Sequence, residues 1–125
     1  MPTLQEKRLA YLEDTIQHYN SNNRAVKPDR KCVYIPVFNE HGEKISDGCA
    51  IGRKCSLNIA EKLSKTNCSI DMTESFNLLT EEMKELGVGF LVSIQKLHDS
   101  PDCWNAEGIS EIGKEKVMKI KNRFI

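Results

Sequence analysis

The apolar positions of the chain follow two rhythms, an alternating one in a single stretch and a helical one elsewhere. Cys32-Val33-Tyr34-Ile35-Pro36-Val37-Phe38 is dense in β-branched and aromatic residues, which suit a pleated, half-buried surface. Pro36 lacks an N–H, so this run predicts an edge strand or a bulge. Asn39 to Lys44, centred on Gly42, reads as a solvated connection. Ile45 to Ile51 reads as the returning strand, with Gly48 supplying a bulge or a close backbone approach. Alternation places Cys32, Tyr34 and Pro36 on one face, and Cys49 with Ile51 on one face of the return strand. A two-stranded hairpin is marginal alone, so helices must cover it.

The helical rhythm starts at Thr3, which has capping-box spacing to Glu6. Leu9, Leu12, Ile16 and Tyr19 then form one apolar stripe, stopped by the turn-favouring run Asn20 to Asn23. Leu57, Ala60 and Leu63 predict a short helix. Asp71 and Glu74 have capping-box spacing, and Phe76, Leu79, Met83 and Leu86 continue as one helix until Gly87 and Gly89 break it. Phe90, Leu91, Ile94 and Leu97 define another, ending at His98-Asp99. Ser100-Pro101 opens a further turn, with Trp104 just beyond. A last helix starts near Ser110 and turns Gly113, Val117, Ile120 and Phe124 to one side, with lysines over most of the rest. The expectation is an α+β fold, a single domain over residues 1–125, with one β-hairpin at about residues 31–53 packed among four or five helices.

Composition narrows the classes. The 18 basic and 18 acidic side chains balance, which argues against bulk electrostatic binding of nucleic acid and leaves only a local patch. No apolar run approaches the roughly 20 residues that span a bilayer, so no membrane partner is expected. The N-terminus has no apolar stretch of the export type. Five cysteines without such a stretch read as reduced thiols, and the compartment as cytoplasmic.

Three constellations carry candidate chemistry. Cys49, His98 and Asp99 supply the types of a nucleophile, a base and an orienting carboxylate. Adjacency of His98 and Asp99 counts against that role, since neighbours on a helix point apart, and a core thiol beside a helix-terminal histidine is the blander reading. Cys32, Cys49, Cys55, Cys68, Cys103 and His98 lack the close paired spacing of structural zinc, so no metal and no cofactor is expected. Gly48-Cys49-Ala50-Ile51-Gly52-Arg53-Lys54 brackets small residues with glycines and ends in two cations. Glycines allow close approach of a ligand, and Arg53 can grip an anion in a bidentate way. The bland alternative is a strand and a turn with solvated cations. Antiparallel pairing would bring Arg30 and Lys31 to Arg53 and Lys54 at the open end of the hairpin.

Cys32-Val33-Tyr34, Gly48-Cys49-Ala50-Ile51-Gly52, Leu91 through Ile94-Gln95-Lys96-Leu97-His98-Asp99, and Trp104 occur in an order that resembles small proteins of tailed bacteriophages and prophages, over roughly residues 22–104. Many of those carry an Ile-Pro segment after the second glycine, where this chain has Arg53-Lys54-Cys55-Ser56. The resemblance implies a viral or prophage origin and the host cytoplasm. It implies little chemistry.

The expectation from these readings together is a phage accessory binding protein whose partner is an anionic, nucleotide-type small molecule or a host protein, acting as a counter-defence factor. The expected ligand contacts are Arg30, Tyr34, Gly52, Arg53 and Lys54. The alternatives are a hydrolase or transferase using Cys49 and His98, with Asp99 orienting the base, and an interaction module without a small-molecule site.

Overall fold

A computed structural model describes residues 2–23, 34–46, 48–66 and 73–125. The fold is α+β, and the described residues form six α-helices and a two-stranded antiparallel hairpin. Helix α1 (Leu4–His18) begins as its sequence dictates, the Thr3 hydroxyl accepting the Glu6 N–H at 3.1 Å. Its inward face is Tyr11, Leu12, Thr15 and Tyr19, whereas Leu9 and Ile16 are only half-buried. The expected stripe of Leu9, Leu12, Ile16 and Tyr19 keeps Leu12 and Tyr19 but is rotated toward Tyr11 and Thr15. The tyrosines find acceptors inside, so their polar tips do not force them outward.

The hairpin joins β1 (Val37–Phe38) to β2 (Lys44–Ser46), with an irregularity between Val37 and Phe38. Its ladder lies within the expected span but is shorter. The return strand ends at Ser46, not Ile51, because Gly48 at φ +103° redirects the chain. Cys49 to Ile51 form a turn that runs into a 3₁₀ helix at Gly52–Lys54. Cys32 lies outside the described residues, as do Arg30 and Lys31.

Helix α2 (Leu57–Thr66) buries Ala60 and Leu63 as the spacing predicts. The long helix expected through Leu86 is instead two short ones, α3 (Thr73–Asn77) and α4 (Glu81–Glu85). Thr80 starts the second, its hydroxyl accepting the Met83 N–H, a capping role that competes with helix continuation. Helix α5 (Val88–Asp99) is the central element, with Phe90, Leu91, Ile94 and Leu97 buried. A 3₁₀ turn (Pro101–Cys103) and a second small ladder, β3 (Trp104–Asn105) with β4 (Gly108–Ile109), follow. Two-residue strands are too short to show an alternation, so nothing in the apolar pattern predicted that ladder. Helix α6 (Glu111–Phe124), capped by Ser110, returns antiparallel to α5, so that Phe124 reaches Gly89.

Candidate functional site

The segment from Gly48 to Lys54 is the hub, and its glycines serve packing. A Cβ at Gly52 would sit on the Tyr34 carbonyl, and one at Gly48 would lie 2.8 Å from the same oxygen. Tyr34 is buried. Gly52 and Tyr34, expected as ligand contacts, thus meet each other through the backbone. Two tyrosines of α1 hold the segment from the other side. Tyr11 donates its hydroxyl to the Ala50 carbonyl at 2.6 Å, and Tyr19 donates to the Gly48 carbonyl at 2.7 Å. Burial, with a smaller effect from Cys49, holds the Tyr11 hydroxyl well above its usual range, so it stays a donor.

Arg53 and Lys54 converge on one carboxylate. Asp14 accepts from Arg53 Nη2 at 2.5 Å and from Lys54 Nζ at 2.6 Å. Partial burial would raise the Asp14 pKa, but the hydrogen bonds from Lys54 and Arg53 outweigh it and hold the carboxyl below its usual range. Arg53 keeps only 14 % of its side chain exposed and stacks over the Tyr19 ring at 5.6 Å. Its Nε is buried without a hydrogen bond among the described residues. This guanidinium is packed onto Asp14 and Tyr19, and with Gly52 it also lines a small cleft of about 210 Å³ beside Pro36 and Cys55. The signal missed was Asp14, placed one helical turn beyond Tyr11 so that both face the hub.

Lys54 is different. Its ammonium lies 5.7 Å from the centre of the Tyr11 ring and borders a cleft of about 440 Å³ between α1 and α4. Ala10, Tyr11, Met83 and Leu86 make the apolar walls, and Lys7 stands at the other end. Lys7 and Asp14 are two turns apart on α1, so the cations bracket roughly 10 Å of helix. Lys7 is tied to Glu85 at 3.3 Å. Thr80 and Glu82 add a hydroxyl and a carboxylate. Apart from Lys54, the residues of this lining were not among the expected contacts, because they come from two helices far apart in the chain.

The enzyme candidates are differently placed. Cys49 and His98 are both fully buried. The Cys49 sulfur accepts the Gly52 N–H at 3.4 Å. Asp99 does reach its neighbour, contrary to the expectation from helix geometry. Its Oδ1 lies 2.8 Å from His98 Nδ1 and also accepts Gln95 Nε2 at 2.9 Å. The helix ends at Asp99, and Gln95 one turn earlier pulls the carboxylate back over the imidazole. Nδ1 is accordingly the protonated nitrogen in this arrangement. Tyr19 packs edge-on against the ring at 4.7 Å. Cys55 is a second thiol near the hub, pushed up to about 11 by burial and then by Cys49, so it is protonated at neutral pH and a poor nucleophile.

Among the described residues no cluster of three or more histidine, cysteine, aspartate or glutamate side chains is arranged for a metal, and no helix is long and apolar enough to cross a membrane. Comparison with protein-family models, curated proteins and solved structures yields no match.

Proposed function

We propose that the protein is a small binding module for an anionic small molecule, held in the cleft between α1 and α4 with its charge on Lys54. The carrying observation is the cleft itself, about 440 Å³ with apolar walls and a lysine at each end, within the usual range for small-ligand sites. A flat apolar body would lie against Tyr11 and Met83, and the anion would meet Lys54 and Lys7. Formal charges around the cleft cancel, with Lys7, Arg53 and Lys54 against Asp14, Glu82 and Glu85. That balance favours a singly charged ligand, such as a cyclic mononucleotide, over a triphosphate. Sequestration of such a signal by a phage accessory protein in the host cytoplasm is the biological role that fits the sequence resemblance. The burial of Cys49 and His98 weighs against the hydrolase or transferase alternative, because a substrate must touch both.

Calorimetric titration against mono-, di- and cyclic nucleotides tests the proposal. Binding of one class, weakened roughly ten-fold or more in Lys54→Ala and less in Lys54→Arg, is the expected result. Binding unaffected by Lys54→Ala moves the site elsewhere. If no member of the panel binds, the nucleotide reading is dropped and the host-protein version takes its place.

A further inference from the structure

The lysines of α6 read, from sequence, as a solvated face. The antiparallel return of α6 along α5 gives some of them a common target. A narrow groove of about 200 Å³ runs between the two helices, with Leu97 and Ile120 at its floor and Lys96, Lys116 and Lys119 along its sides. Lys116 and Lys119 stand nearly one turn apart, and Arg123 continues the same side of α6. No carboxylate lines the groove, and its three lysines form no ion pair among the described residues. The Lys7 and Lys54 cleft is electrically the opposite, since each of its cations already has a carboxylate.

On a chain of zero formal charge such a patch must be balanced elsewhere, and α4 carries Glu81, Glu82 and Glu85 against Lys84 alone. The asymmetry turns the α5–α6 face toward a polyanion. The occupant must be narrow, because the groove is smaller than an ordinary small-ligand pocket. It must carry several charges at close spacing. It is not held by stacking, because no aromatic side chain lines the groove, whereas single-strand binders rely on such platforms.

We infer that the α5–α6 groove is a binding site for the phosphodiester backbone of duplex nucleic acid, which Lys96, Lys116 and Lys119 contact without reading bases. Binding of this kind is weak, independent of sequence and lost with salt.

The test is fluorescence anisotropy with a labelled DNA duplex, over a series of salt concentrations. Three phosphate contacts predict a slope of log affinity against log salt of about −3. Two duplexes of different base composition should bind alike. The variant Lys96→Gln/Lys116→Gln/Lys119→Gln should bind at least ten-fold more weakly, with its circular dichroism unchanged. A charge-matched control, Lys62→Gln/Lys65→Gln/Lys114→Gln, should keep wild-type affinity. If the triple variant does not fold, each single substitution should instead lower the slope by about one. No binding at the lowest salt, equal weakening by the control, or tighter binding of a single strand than of the duplex would each overturn the inference.

Discussion

Single residues divide into those packed into the fold and those left at its surface. Gly52 is of the first kind. Gly52→Ala places a methyl group on the Tyr34 carbonyl, and backbone cannot swing aside as a flexible side chain does. We expect a loss of about 3 kcal/mol or more, at the severe end for point substitutions, read as a lower urea midpoint. A midpoint equal to wild type would show that the approach is not tight. Arg53 is packed as well. Arg53→Ala should cost about 1–2 kcal/mol, toward the low end for charged hydrogen bonds because Asp14 is still 42 % exposed.

Asp14 adds a pH dependence. Its carboxyl is held below the usual range by Lys54 and Arg53 against the effect of burial. A depressed native pKa contributes stability above the unfolded value, about 3.9, and that contribution disappears as pH falls through the native one. The stability gap between wild type and Asp14→Asn should therefore be constant from neutral pH down to about 4 and narrow below it. Urea midpoints at pH 7, 4 and 3 measure this, and a gap that stays open at pH 3 would exclude the mechanism.

At the scale of elements, α4 depends on its cap. It is five residues long, and a helix so short has little stability of its own. The Thr80 hydroxyl satisfies the Met83 N–H, so Thr80→Ala should destabilise by about 1 kcal/mol. Because α4 supplies Thr80, Glu82, Met83 and Leu86 to the cleft, amide exchange in residues 81–86 should accelerate more than in α5. Uniform acceleration across both helices would mean that α4 does not open on its own.

The whole molecule rests on α5, with α1 and α6 packed against it. Trp104 closes the far end of this core, its indole N–H donating to the Leu97 carbonyl at 2.9 Å. Trp104→Ala should cost roughly 3–5 kcal/mol, enough to unfold many domains of this size. A folded variant with an unchanged midpoint would contradict it.

Sequence alone determined the elements whose signals are local. The Thr3 and Ser110 caps, the α5 and α6 stripes, the short α2 and the hairpin connection at Gly42 were legible, because each depends on residues within one or two turns. The glycines at 48 and 52 also announced close backbone approach, but not toward what. Only tertiary structure decided that the approaching group is the Tyr34 carbonyl. It likewise turned Arg53 inward onto Asp14, left Lys54 at a cleft, and gathered Lys96 with Lys116 and Lys119 into one groove. Each of these joins residues far apart in the chain, and a one-dimensional pattern does not encode which faces meet.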